Sequence, residues 1–169
     1  MLGNASGYVT TRVSYKLDLK GPSINVQTAC STSMVAIAEA CHSLQNNHCD
    51  MALAGGVSIS FPQQEGYLFQ EGDIGSPDAH CRPFDANAQG TVFSNGVGVI
   101  VLKRIDEAVA DGDTIYAVIR AAAINNDGAS LLNAEAFTFE LNVISAKGLA
   151  TTVLIFVTSP TNSARPVIE

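Results

Sequence analysis

Three apolar runs constrain this chain more than any other feature in it: 51–59 (MALAGGVSI), 96–102 (GVGVIVL) and 115–123 (IYAVIRAAA). They are short for helices and carry little of the polar alternation of a strand with one wet face, so they read as strands covered on both faces. Helical patterns lie between them. After Thr28-Ala29-Cys30-Ser31-Thr32-Ser33, apolar residues recur at Met34, Ile37, Ala38, Cys41 and Leu44, with Glu39 and Gln45 off the stripe and Asn46-Asn47 ending it. A second, short helix is expected over 105–110, stopped by Asp111-Gly112-Asp113. Strands of this kind interleaved with helices imply an α/β layered architecture.

Elsewhere the signals are local. Residues 24–27 form a short β-prone run after Gly21-Pro22. Residues 60–89 are rich in Gly, Pro, Asp and Gln and read as a long irregular excursion with one short helix around 65–70; loops of that length usually carry function or a contact. Asn125-Asn126-Asp127-Gly128 is a turn by composition. No internal repeat is visible.

The apolar runs also explain the composition, which is 47% hydrophobic and 15% charged over 169 residues. Soluble domains average roughly 25% charged residues, so much of this surface is expected to be covered by something other than solvated charge, such as a partner or a remainder of the same fold. With 16 acidic against 9 basic residues, a net charge of -7 and no Lys/Arg cluster, nucleic acid is excluded as a partner. The apolar stretches at 97–102 and 149–157 fall far short of the roughly 20 residues needed to span a bilayer. The first residues lack the apolar run of a secretory signal, so a cytoplasmic setting with reduced Cys30, Cys41, Cys49 and Cys81 is expected. Asn4-Ala5-Ser6 fits a glycosylation acceptor, a pattern without weight when no signal precedes it.

Cys30 is the residue with the clearest chemical reading. It falls between an expected strand and an expected helix, among small residues that permit a tight turn. A thiol there faces the positive end of a helix dipole, with free backbone N–H groups near enough to hold an oxyanion, which suits acyl transfer through a thioester. A buried structural cysteine is the alternative at this point, since free Cys is among the most buried residue types. Cys41-His42 and His48-Cys49 resemble a ligand set but lack zinc spacing, and each belongs to the helix stripe or the next strand. His80 beside Cys81 is either a base for a distant thiol or, more simply, a loop histidine bonded to its neighbours. Gly96-x-Gly98 opens a strand and lacks a third glycine, so a dinucleotide site fails on context. Asp106, Glu107, Asp111 and Asp113 read as a solvated helix face and its stop.

Four segments taken together carry a resemblance: GPSINVQTACSTSMVAI, CDMALAGGVSI, GYLFQEGDIGSPDAHCRPFDANAQGTVFSNGVGVIVLKR and DGDTIYAVIRAAAINNDGA. In this order and spacing the chain resembles the amino-terminal half of a β-ketoacyl synthase of the modular polyketide synthase type, from about residue 3 to 128. The resemblance implies a partial thiolase-like fold of α/β/α/β/α layers, with a mixed sheet around a buried helix that starts at Cys30. It makes Cys30 the acyl-thioester nucleophile, its own backbone N–H forming part of the oxyanion hole. The acyl chain would arrive on the phosphopantetheine of an acyl carrier protein, and decarboxylative condensation with a malonyl-type extender would follow. No cofactor or metal is implied for this chain itself. A homodimer, or association with the rest of the domain, is expected, with neither nucleic acid nor membrane as a partner.

The condensation half of that reaction needs two histidines and a lysine carried by HGTGT and GSxKxNxGH motifs, and neither occurs in the 169 residues. His42, His48 and His80 do not match those positions. The resemblance also implies that the chain begins inside the domain and that 129–169 forms a divergent tail, the boundary falling at 128. Departures from the family pattern, Asp73, Gly75 and Ala79 in the loop, Pro83 before Phe84 and Phe93-Ser94, are expected to affect loop packing and not the nucleophile. Isolated condensation is therefore expected to fail. Two other readings stay open: a catalytically incomplete interaction module that needs a partner chain, and an unrelated thiol hydrolase with a histidine on Cys30.

Overall fold

The computed structural model describes residues 5–62, 66–124 and the strand Leu141–Ser145. A 3₁₀ turn over Ser6–Tyr8 leads into α1 (Val9–Leu17), which ends where Asp18 turns left-handed and its N–H reaches the Ser14 carbonyl. The central helix α2 (Thr32–Gln45) follows, then β1 (Met51–Ser58), the long excursion, β2 (Gly96–Lys103), α3 (Ile105–Ala110), β3 (Ala117–Ala122) and β4 (Leu141–Ser145).

The periodicity of α2 is realised as a buried stripe. Met34, Ile37, Ala38 and Leu44 are buried and Cys41 is half-buried, while Glu39, His42 and Gln45 face out. Met34 and Ile37 meet Ala54 of β1, and Ala40, Cys41, Leu102 and Ile119 pack around them. Full burial of a side chain the size of Met34 or Ile37 is worth about 1.5–3 kcal/mol.

β1 and β2 form an antiparallel ladder in which Met51 lies opposite Lys103 and Ser58 opposite Gly96. Because residues directly opposite share a face, Ala52, Ala54 and Gly56 lie with Leu102, Ile100 and Gly98 on the side that receives α2. The helix comes close there: a Cβ on Gly56 would stand 3.1 Å from the Ser33 Cβ. Within the ribbon, a Cβ on Gly55 would lie 2.0 Å from the Gly98 carbonyl oxygen, so only glycine permits this approach. The second face departs from the expectation of two covered faces. Met51, Leu53 and Val57 share it with Val97, Val99 and Val101, the three valines being 60–73% exposed. The apolar run records a face that needs covering, and nothing among the described residues covers it.

Arg104 ties β2 and α3 to the end of α2. Its guanidinium donates to the carbonyls of Leu44 (3.0 Å) and Cys49 (2.7 Å), to the Asp50 carboxylate (2.8 Å) and to Glu107 (2.8 Å). Lys103 donates to Asp111 and Asp113 beyond α3, and Asp106 and Glu107 occupy the first turn of α3, where the dipole favours them. The acids read as a solvated face are thus partly engaged in ion pairs.

Three expectations change in detail. Residues 24–27 run without a ladder, because β propensity alone makes no strand without a neighbour to pair with. The helix expected around 65–70 is absent over 66–70, where the Tyr67 hydroxyl donates to the Ser76 carbonyl (2.6 Å) and its ring meets Phe93 edge-on, tying the segment into the loop. The strand expected over 115–123 is shorter and pairs antiparallel with β4, with a register shift between Ile119 and Ala121. Asn4, the 125–128 turn and the boundary at 128 lie outside the described residues.

Candidate active site

The site grows out of a backbone reversal just before α2. At Thr28 (φ -131°, ψ 37°) the chain leaves its extended path, and at Ala29 it turns left-handed with φ 52°. For a residue other than glycine this conformation costs about 1–2 kcal/mol, so the surroundings must hold it. The neighbouring hydroxyls do so. Ser31 donates through both N–H (3.2 Å) and Oγ (2.8 Å) to the Thr28 carbonyl. Thr32 Oγ1 donates to the Ala29 carbonyl (2.8 Å) and accepts from the Thr28 N–H (3.0 Å).

Cys30 is the middle residue of the resulting 3₁₀ turn, Ala29–Ser31, which runs directly into the 14-residue α2. It is exposed, whereas Ser31 beside it is buried. Cys30 is no member of the core that Met34, Ile37 and Ala54 form. The Ser31 hydroxyl is turned back to Thr28, so no N-cap side chain caps the first amides of α2, and no acid stands in its first turn. Those amides and the aligned peptide dipoles favour negative charge at this end of the helix.

The other thiols sit differently. Cys41 lies half-buried on the packed face of α2, where burial pushes its thiol above the ordinary value and keeps it protonated. Cys49 is half-buried, and Cys81 is exposed in the loop with Sγ 3.9 Å from Thr91 Oγ1. None of the three histidines is hydrogen-bonded to Cys30. His42 and His48 are exposed, and His80 Nδ1 lies 2.7 Å from the Asp78 carbonyl oxygen, so His80 is the neighbour-bonded loop histidine. Among the described residues no three His, Cys, Asp or Glu side chains gather as metal ligands, so Cys41-His42 and His48-Cys49 do not assemble into a set.

A second cluster organises the loop. The Asp78 carboxylate receives a two-pronged bond from Arg82 (3.0 and 2.6 Å), the Ser76 hydroxyl (2.8 Å) and the His80 N–H (3.1 Å). The Arg82 bond, then the Ser76 bond, holds this carboxyl well below the usual carboxylate range. A hollow of about 370 Å³ opens beside it, lined by Tyr67, Phe69, Ser76, Pro77 and Asp78 among others and by no residue of the 28–32 turn. Sequence reasoning singles out Cys30 but misses the holding roles of Ser31 and Thr32. Their signal is the run of hydroxyl residues just after the turn, which compete for nearby backbone groups.

Residues 1–108 match the family described as beta-ketoacyl synthase, N-terminal domain, a segment that contains the whole Cys30 turn, α2 and the β1–β2 ladder. The chain belongs to the β-ketoacyl synthase family. It is similar to a phenolphthiocerol/phthiocerol polyketide synthase protein of Mycobacterium tuberculosis, 53% identical over 129 residues, which is 76% of this chain and 9% of that protein. A hybrid PKS-NRPS synthetase of Gloeophyllum trabeum is 49% identical over 120 residues, 71% of this chain and 8% of that one. Among solved structures, ketosynthase twelve of the bacillaene polyketide synthase of Bacillus amyloliquefaciens superimposes with a TM-score of 0.71 at 43% identity, covering 75% of this chain and 22% of the other. The thiolase-like α/β class of such ketosynthases is the fold of this chain, which carries the N-terminal part of a polyketide-type ketosynthase domain. The chain spans about a tenth of its curated relatives and under a quarter of the solved ketosynthases. Among the described residues no helix is long and apolar enough to cross a membrane.

Proposed function

We propose that this ketosynthase segment accepts an acyl chain on Cys30 from the phosphopantetheine thiol of an acyl carrier protein. The Cys30 thiolate attacks the carbonyl carbon of the acyl thioester. The tetrahedral oxyanion is held by the Cys30 N–H at the positive end of the α2 dipole, then collapses, breaking the bond to the carrier sulfur. The departing carrier thiolate takes up the proton that Cys30 gave up, so the exchange is balanced without a cofactor bound by this chain. The observation that supports this most is the left-handed Ala29, which sets an exposed Cys30 at the head of α2 within the family-matched segment.

Condensation is a separate demand. Decarboxylating a malonyl thioester and stabilising its carbanion call for groups that the two absent histidine motifs would supply, and members of a catalytic unit act non-additively. The 169-residue chain is therefore expected to acylate without condensing. Incubation with a radiolabelled acyl carrier thioester and malonyl carrier protein checks both halves: label on Cys30 and no ketoacyl product are expected. Ketoacyl product from the chain alone would sink the second statement, and an unlabelled Cys30 the first.

The open face of the β1–β2 ribbon favours a second reading, an interaction module that needs a partner chain. Exposed apolar area of this kind marks an interaction surface. A stable complex in solution with an unreactive Cys30 would select that reading; a thiol hydrolase has no histidine on Cys30 to support it.

A further inference from the structure

We propose that Thr32 is a positioning residue that aims the backbone N–H of Cys30 for oxyanion binding. The inference rests on the reading of Cys30 as the acyl acceptor and deepens it. Two peptide planes flank Ala29, and each is gripped by one hydroxyl. Ser31 Oγ holds the carbonyl of the Thr28–Ala29 peptide at 2.8 Å, and Thr32 Oγ1 holds the carbonyl of the Ala29–Cys30 peptide at 2.8 Å. A peptide is planar and trans, so fixing the Ala29 carbonyl fixes the Cys30 N–H, which points the opposite way in the same plane. Thr32 therefore decides where that N–H points without touching the thiol.

The same oxygen also accepts the Thr28 N–H at 3.0 Å. One side-chain atom thus bridges the backbone on both sides of the left-handed residue and resists rotation of φ or ψ at Ala29 (φ 52°). The Thr32 N–H also donates to the Ala29 carbonyl, so that carbonyl is held twice by one residue. Ser31 grips the other plane from a buried position, which makes Thr32 the half of the clamp that acts on the Cys30 amide. Valine matches threonine in shape but cannot donate or accept here. Serine keeps the hydroxyl.

Two reactions at one sulfur separate positioning from mere structure. Alkylation by iodoacetamide passes through no oxyanion, whereas acylation by octanoyl-N-acetylcysteamine thioester does. In the full chain, Thr32→Val is expected to slow acylation of Cys30 by about tenfold or more, as for a displaced oxyanion donor, while alkylation changes little. Thr32→Ser is expected to restore acylation, and far-UV circular dichroism of both variants is expected to match the parent. Thr32→Val acylating at the parent rate would overturn the proposal. So would equal loss of acylation and alkylation, or a Thr32→Ser variant that fails to recover. Failure of the parent chain to acylate Cys30 at all is a different outcome, and it overturns the acyl-acceptor reading together with this proposal.

Discussion

At the scale of single residues, the left-handed positions are where backbone cost and chemistry meet. Ala29 and Ala79 both adopt φ above +50° without being glycine. Ala29 is gripped by Ser31 and Thr32 at the candidate nucleophile, which gives its strain a use. Ala79 lies in the loop, where its N–H bonds the Ser76 carbonyl at the long distance of 3.4 Å. Ala79→Gly is expected to raise stability by roughly 1 kcal/mol, read as a higher urea midpoint. Asp78 supplies a pH signature for the same loop. Its folded pKa is depressed by Arg82 and Ser76, so its contribution is complete above the unfolded value of about 3.9 and fades as pH falls below it. A carboxyl-carbon NMR titration is expected to find Asp78 still ionised at pH values where the other exposed carboxylates have protonated. Cys30 is legible in the sequence through its small neighbours and the helix that follows. The hydroxyl clamp is not, because which carbonyl a Ser or Thr chooses depends on a backbone angle that spacing does not report.

At the scale of elements, periodicity specifies α2 well and the strands less completely. The stripe Met34, Ile37, Ala38, Leu44 is the buried face, since a helix satisfies its own hydrogen bonds and needs only one apolar contact surface. A strand depends on its neighbours. Residues 24–27 have strand-forming side chains but no ladder, and 96–102 form a strand whose outer valines stand exposed. Residues 66–70 escape a local reading because Tyr67 finds its partners, Ser76 and Phe93, at a distance in sequence. The glycine pair of β1 is a sharper constraint than its hydropathy suggests. Gly55→Ala would drive a Cβ into the Gly98 carbonyl, and the strands would have to separate. A loss of about 1–3 kcal/mol is expected by denaturant titration, the range for overpacking a close contact.

At the scale of the whole molecule, low charge and high apolar content take their meaning from the uncovered ribbon face. Five of its apolar residues, Met51, Val57, Val97, Val99 and Val101, are more than half exposed, whereas the opposite face meets α2. Val99→Lys on this face is therefore expected to reduce self-association of the chain in sedimentation velocity while leaving acylation of Cys30 unchanged. An unaltered association state would locate the sticky surface elsewhere. In the proposed function the turn before α2, and not exposure, selects the acyl acceptor. Cys30 and Cys81 are both exposed, Cys41 and Cys49 only partly. The direct measurement is acyl occupancy at all four cysteines, by peptide mapping after reaction with a stoichiometric acyl carrier thioester. Acyl is expected on Cys30 with Cys81 essentially unmodified; equal occupancy of Cys30 and Cys81 would show that exposure alone selects the thiol.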